Sequence, residues 1–280
     1  MFHLQVSVLA SGSKGNATFV AIDGAKILVD AGISATRIKK ALAAENVDAA
    51  DLDAVLLTHE HRDHVAGLAT LAKWYHLPIY SRRKTLASLP ISIQQAIADA
   101  GSTETLFPED AVAEEAAPYG APSSLLHAAS GAFRLAGLRI TPFSTSHDAA
   151  DPVGWRLSGS RTVAVCTDLG FVTQTVEAAI DGTDVLVLEA NHDPAVLQGG
   201  RYPWPLKRRI LSNRGHLANA DAAWAIARMQ HRPKDVFLAH LSQENNTPDL
   251  AYETVSGILK GQGIDVPLHV ARQDEAVRLK

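Results

Sequence analysis

The segment Thr58-His59-Glu60-His61-Arg62-Asp63-His64 packs three imidazoles and a carboxylate into six consecutive residues, His59–His64. Imidazole and carboxylate together are the donors that borderline-hard divalent cations prefer. The spacing has a mechanical meaning. Alternate residues of an extended chain point the same way, so His59 and His61 can grip one ion together. Asp63 and His64 come where the next helix starts and project to a second position nearby. A merely solvated loop would not need this concentration of ligand types.

The elements that must position this cluster are also legible. Apolar runs that stop at an acid or a histidine recur at Lys26–Asp30, Ala54–His59, Val163–Asp168, Val185–Glu189 and Val236–His240. Short continuous apolar runs read as strands buried on both faces. The polar residue closing each run then lies at the carboxyl end of its strand, the edge where open α/β sheets bind ligands. Between the runs, residues 34–45, 64–75, 171–180, 219–230 and 248–260 carry helical periodicity. Asn219 is the expected N-cap of the fourth helix. Residues 101–123, rich in Ala, Pro, Gly and acids, read as an irregular connection. No composition break marks a second domain, so residues 1–280 are expected to form one, with helices covering sheets on both sides.

Composition narrows the class. The chain has 280 residues, 46% of them hydrophobic and 20% charged, as in an ordinary globular protein. No segment approaches the ~18 apolar residues of a membrane span, so no membrane partner is expected. A single cysteine, Cys166, precludes an intramolecular disulfide; with no basic secretory start, the cytoplasm is the expected compartment. The net charge of −4 makes the molecule no general trap for polyanions. Oligomeric state is not legible.

The His59–His64 pattern resembles the signature of the metallo-β-lactamase superfamily, and further segments match in the family's order from residue 5 to about 247. Asp30 in Leu28-Val29-Asp30 matches an acid that supports the site. His147 in Ser146-His147-Asp148 matches the third ligand motif, Asp168 the carboxylate bridging both metals, and His240 the last ligand. The resemblance implies an α/β (α+β) fold, a four-layered αββα sandwich. It also implies two divalent cations, Zn²⁺ or Mn²⁺, held by His59, His61, Asp63, His64, His147, Asp168 and His240. Cations sharing a carboxylate lie ~3.5–4 Å apart and lower the pKa of the water between them towards ~7, giving a hydroxide nucleophile. Cys166, among aliphatic neighbours, reads as a buried strand residue. His3, His76, His127, His192, His231 and His269 read as structural or surface residues.

The metals alone do not choose between phosphodiester, thioester, lactone and lactam. Glu189-Ala190 and Gly215-His216-Leu217 resemble segments of the transfer-RNA 3′-processing branch, where such a pair supplies a proton to the leaving alcohol. A carboxylate bonded to an imidazole fixes its tautomer and keeps it cationic enough to act as acid. Catalysis is therefore assigned to Asp63, His216 and Glu189. Residues 201–214 add five cations (Arg201, Lys207, Arg208, Arg209, Arg214) and two large aromatics, Tyr202 and Trp204, ingredients for phosphate contact and base stacking.

Leu9–Ala17, Ser146-His147-Asp148 with Asp151–Gly154, Glu189–Asp193, Arg214–Leu217 and His240–Asn246 resemble the YycJ-like (VicX-like) bacterial metallo-hydrolases. That subgroup implies a 5′-to-3′ exonuclease on DNA, with RNA as a further substrate. Only 71 residues separate Asp168 from His240, which leaves no room for the clamping insertion of RNA-processing relatives. The Ser11–Asn16 loop is expected to cradle a terminal phosphate through backbone N–H groups. The alternative is a small-molecule thioester or lactone hydrolase of the glyoxalase or lactonase kind.

Overall fold

A computed structural model describes residues 4–101 and 125–279; the connection expected at 101–123 lies, apart from its first residue, outside them. The first half contains β1 (Leu4–Ala10), β2 (Ala17–Ile22), β3 (Ala25–Val29), α1 (Ala35–Ala44) and β4 (Ala54–Leu56). It continues with α2 (Arg62–Val65), α3 (Leu68–Tyr75), β5 (Ile79–Ser81), α4 (Arg83–Ser88), α5 (Ile91–Ala100) and β6 (Leu126–Ala128). The second half opens with β7 (Phe133–Leu135), β8 (Leu138–Ser144), β9 (Val153–Ser158), β10 (Thr162–Cys166), α6 (Gln174–Ile180) and β11 (Val185–Glu189). After α7 (Pro194–Gly199), α8 (Trp204–Ile210) and α9 (Asn219–Arg228) come β12 (Asp235–Ala239), α10 (Pro248–Gly261), β13 (Leu268–Val270) and β14 (Val277–Arg278).

The strands form two sheets, ordered β14-β1-β2-β3-β4-β5-β6 and β13-β12-β11-β10-β9-β8-β7. β3 to β6 pair in parallel, as do β10 to β13, while β1-β2-β3 and β8-β9-β10 pair antiparallel. The apolar runs are the parallel strands, and each feeds two cores by alternation. In β3, Leu28 faces the helices α1, α3 and α5, whereas Ile27 and Val29 face the opposite sheet. In β11, Leu186 and Leu188 pack under α6, α9 and α10, while Val185 and Val187 enter the layer between the sheets. Three cores separated by two sheets give the expected αββα sandwich.

Local chemistry sets the helix limits. Ser34 caps α1 by accepting from Arg37 N–H (3.3 Å), and Thr173 caps α6 from Val176 N–H. The helix expected over 64–75 is two pieces, α2 and α3, broken at Ala66–Gly67. Gly67 N–H leaves the helical ladder to donate to Ala31 O, and a Cβ at Gly67 would fall 2.2 Å from Ile33 O. Asn219 is the first residue of α9 rather than its cap, which is Ala218; its buried side chain serves another purpose described below. Among the described residues no helix is long and apolar enough to cross a membrane.

Candidate metal centre

The two sheets meet the candidate ligands at their carboxyl edges. β3 delivers Asp30, β4 leads to Thr58 and His59, β10 to Asp168, and β12 to His240; β11 ends on Glu189, and His147 lies between β8 and β9. Asp30, Asp168 and His240 have left-handed backbones (φ 61°, 59° and 56°). Outside glycine such turns cost of order 1–3 kcal/mol each and persist where surrounding structure enforces them. Here they turn the chain off the sheet immediately after a strand. The loop after β3 clasps the histidine loop closely: Ala31 N–H donates to His64 O, and a Cβ on Gly32 would lie 1.6 Å from Asp63 O.

All seven ligand candidates converge. Donor atoms within 4.8 Å of one another form the groups His59/His61/His147, His59/His64/Asp168 and Asp63/His64/His240. Asp168 is common ground. Its Oδ2 lies 3.3 Å from His64 Nε2, and its Oδ1 lies 3.7 Å from His147 Nε2.

Hydrogen bonds on the far ring nitrogens aim these imidazoles. His64 Nδ1 donates to Asp30 Oδ2 (2.8 Å), His147 Nδ1 to Gly215 O (3.0 Å) and His240 Nδ1 to Glu189 Oε1 (2.8 Å). Asp30 itself is fixed by Thr58, which donates through both N–H and Oγ1. Donation through Nδ1 leaves the Nε2 lone pair for the cluster, the arrangement characteristic of metal-binding histidine. His59 Nε2 and His61 Nδ1 stand 3.0 Å apart, a separation that needs a proton or a cation between two lone pairs. Asp168 Oδ2 and His240 Nε2 are buried without a hydrogen-bond partner. Buried polar atoms are rarely left so; a divalent cation fits this donor set.

The electrostatics agree. Burial favours a neutral Asp168, but His240 and His64 outweigh it and hold the carboxyl well below its usual range. Asp63 is likewise held low against burial, by the His240 and His64 imidazoles beside it. Burial, with His64 adding to it, keeps His59 well below an ordinary histidine. The cluster therefore offers ionised carboxylates in a low-dielectric setting, which draws in positive charge.

Glu189 and His216 form the expected pair. Glu189 Oε1 accepts from His216 Nδ1 at 2.7 Å as well as from His240, and Oε2 accepts the backbone N–H of Leu169 and Leu217. Burial would raise Glu189, but His216 and the two imidazole hydrogen bonds hold it at about 2. Burial opposes charge on His216, and Glu189 overcomes it, raising His216 above its ordinary value. With Nδ1 committed, Nε2 remains for a substrate, and the side chain is 21% exposed.

Two expectations change. Five of the six amides of the Ser11–Asn16 loop are spent inside the protein: Ser11 N–H on Arg272 O, Gly12 on Asn16 Oδ1, Lys14 on Gln273 Oε1, Gly15 on Gly12 O, and Asn16 on Asp63 O. They build the site wall rather than a phosphate cradle. The basic stretch is also partly structural. Lys207 Nζ closes the end of α7 by donating to Gln198 O and Gly200 O, Arg209 pairs with Asp148, and Arg214 reaches His147 O.

Three residues near the site had not been assigned a role there. Asn16 Nδ2 lies 3.2 Å from His64 Nε2, Asp148 Oδ1 lies 3.3 Å from His147 Nε2, and buried His192 feels both Glu189 and His216. Each belongs to a motif already quoted, so proximity in sequence to a ligand was the available signal.

This geometry coincides with known proteins. Residues 25–241 match the Beta-lactamase superfamily domain. The chain belongs to the metallo-β-lactamase superfamily, and with this donor set it is a metal-dependent hydrolase. Within the superfamily it is 36% identical to exodeoxyribonuclease YycJ of Bacillus anthracis over 272 residues, 94% of this chain and 92% of that protein. It is 34% identical to exodeoxyribonuclease WalJ of Streptococcus pneumoniae serotype 2 over 287 aligned positions, covering 98% and 96%. The crystal structure of the metallo-β-lactamase fold protein YhfI from Bacillus subtilis superposes with a TM-score of 0.66 at 17% identity, covering both chains fully.

Proposed function

We propose that the chain is an exodeoxyribonuclease that removes nucleotides 5′ to 3′, using two divalent cations, zinc or manganese. DNA is the main substrate and RNA a secondary one. Residues 1–280 act as one domain, since both sheets supply ligands, and the cytoplasm is its place of action. His59, His61 and His147 would hold one cation, Asp63, His64 and His240 the other, with Asp168 shared. When bound, the cations supply Lewis acidity and a hydroxide nucleophile at neutral pH. Asp30 and Glu189 keep the ligating rings in the correct tautomer. Asp63 combines ligation with a place beside the reacting centre. His216, charged because Glu189 stands 2.7 Å from its Nδ1, delivers a proton to the leaving oxygen.

That Glu189–His216 pair is the observation that carries the reading. An alkoxide leaving from phosphorus needs a proton donor; a thiolate leaving from a thioester needs it much less. Two close relatives bear the name exodeoxyribonuclease, which agrees.

The test uses His216→Ala with zinc or manganese at saturation. Turnover of a 5′-phosphorylated oligonucleotide should fall ~10²–10⁴-fold, the usual contribution of a general acid. A diester with a p-nitrophenolate leaving group should lose far less. Equal losses on both, or a wild type that spares DNA and RNA while cleaving a thioester or lactone, would refute the assignment.

A further inference from the structure

Arg209 and Arg214 are tied to the segment that supplies His147, and the ties leave part of each guanidinium free. Residues 209–215 run beside Ser146-His147-Asp148 and bond to all three. Ser146 Oγ donates to Asn213 O, and His147 Nδ1 to Gly215 O at 3.0 Å. Arg214 donates through Nε and Nη2 to His147 O, at 3.4 and 3.3 Å. Arg209 Nε stands 2.5 Å from Asp148 Oδ2. The other oxygen of that carboxylate lies 3.3 Å from His147 Nε2, the nitrogen turned towards the metal cluster. Both arginines are thus fixed at the rim of the cluster, one peptide or one carboxylate away from a ligating ring.

What the ties leave over is chemically specific. Nη1 and Nη2 of Arg209 and Nη1 of Arg214 have no hydrogen-bond partner among the described residues, and both side chains are exposed, Arg209 by 56%. Asp148 offsets the charge of Arg209 while holding it. Arg214 is bonded to a neutral carbonyl, so its positive charge stands uncompensated, and residues 194–220 contain no acid. A guanidinium presents a planar fork of donors that matches paired phosphate oxygens. One that is already anchored through Nε gives up less side-chain freedom on capturing such a group. The phosphate under attack is not the one these forks meet. It belongs with the ligating nitrogens, on the Nε2 side of His147, whereas the arginines attach to the carbonyl and carboxylate outside that ring. The next phosphate of the same chain is the anion that reaches them.

We propose that Arg209 and Arg214 bind the phosphate neighbouring the scissile one, with Asp148 as the positioning residue that holds Arg209 in place. This rests on the nuclease reading and gives it a substrate requirement: a second phosphate on the same chain, which a lactone or a simple thioester lacks.

The experiment compares wild type, Arg209→Ala, Arg214→Ala, Asp148→Asn and the Arg209→Ala/Asp148→Asn double variant, each loaded with manganese. The substrates are an oligonucleotide in the strand form that wild type digests faster, the same oligonucleotide with an uncharged methylphosphonate on either side of the scissile phosphate, and bis(p-nitrophenyl) phosphate. Binding is followed by fluorescence anisotropy on a phosphorothioate version that resists cleavage. Each arginine variant should raise KM and Kd for the unmodified oligonucleotide roughly 10-fold or more, the scale of lost charge-assisted hydrogen bonds. Each should also flatten the dependence of log Kd on log salt by ~1. A methylphosphonate at one of the two flanking positions should cost wild type as much and cost the arginine variants little more. The small diester, with no neighbouring phosphate, should lose far less. Asp148→Asn should raise KM, and the double variant should be no worse than Arg209→Ala alone, since residues acting through one another do not add. The proposal is overturned if the arginine variants bind the unmodified oligonucleotide as wild type does. It is overturned equally if their loss persists in full on both methylphosphonate substrates, or if the small diester loses as much. An additive double variant removes Asp148 as the positioning residue. A wild type that neither binds nor cuts any DNA defeats the nuclease reading, whereas the preceding outcomes leave that reading standing.

Discussion

Single side chains in this site act mainly by fixing one another. Asp30 touches no substrate, yet its Oδ2 receives the His64 Nδ1 proton at 2.8 Å while Thr58 holds the carboxylate in place. Asp30→Ala should therefore weaken metal binding about 10–100-fold, the usual cost of losing such a partner. Metal titration against a chromophoric chelator would read this, and unchanged affinity would remove Asp30 from the site. His192 gives a second, opposite kind of prediction. Burial lowers its pKa to about 4, against an ordinary histidine near ~6.5. Above ~6.5 both folded and unfolded chains keep it neutral and it contributes nothing. As pH falls, the unfolded chain takes the proton first, so the native state loses stability progressively down to about pH 4. The loss is about 2–3 kcal/mol at the rate of ~1.4 kcal/mol per pKa unit. His192→Leu, stripped of metal and unfolded in urea at pH 7.5 and pH 5, should show a shallower loss than stripped wild type. Parallel losses would mean that other groups carry the acid sensitivity. The histidine's environment could not be read from its type, because burial is set by residues distant in sequence.

At the scale of elements, the loops that follow β11 and β12 and precede α9 are held by buried asparagines. Asn246 Nδ2 donates to Ala190 O (2.9 Å), Asn191 O (3.0 Å) and Asn219 Oδ1 (2.9 Å), and Asn219 Nδ2 answers to Asn246 Oδ1 (3.0 Å). Asn191 Nδ2 donates to His240 O at 2.7 Å. These bonds join the chain just after Glu189, the start of α9 just after His216, and the loop that begins at His240. That is why Asn219 is not a helix cap: its amide is committed across the fold. Asn246→Asp keeps the shape but sets an acceptor against two carbonyls. Turnover should fall at least ~10-fold with little change in KM, because Glu189 and His216 shift relative to the substrate. A normal turnover number in folded Asn246→Asp, checked by circular dichroism, would show that these loops hold their places unaided. The parallel strands, by contrast, were legible as apolar runs, since they alternate between two cores and need no polar face. Antiparallel β8, Leu138–Ser144, alternates buried and exposed residues and carries Pro142 within it, so it announced itself less clearly. The split between α2 and α3 was hidden because it depends on Gly67 meeting the loop after β3.

For the whole molecule, the arrangement of ligands makes metal binding a matter of architecture. His59, His61, Asp63 and His64 hang from the sheet containing β3 and β4, and His147, Asp168 and His240 from the sheet containing β8, β10 and β12. Between the sheets lies an apolar layer that includes Ile27, Leu56, Trp155, Val187 and Phe237, all essentially inaccessible to water. Apolar packing holds the sheets face to face, but it does nothing for the ionised carboxylates gathered at their common edge. A cation held by the proposed ligands would be shared by both halves and would bind the unfolded chain poorly, stabilising the native state by RT ln(1 + [M]/Kd), about 4 kcal/mol at a free concentration a thousand times Kd. For a chain of this size each kcal/mol moves the melting temperature by ~2–4 °C. Chelation should therefore lower Tm by roughly 8–16 °C, and returning zinc or manganese should restore it in proportion to the logarithm of free metal. Trp155→Phe, which removes no candidate ligand, should lower Tm in both metal-bound and stripped protein and leave a metal-dependent rise in place. His240→Ala should behave otherwise, abolishing most of the metal-dependent rise. If chelation leaves Tm unmoved in protein shown to have lost its metal, the ligands of the two sheets do not share a cation.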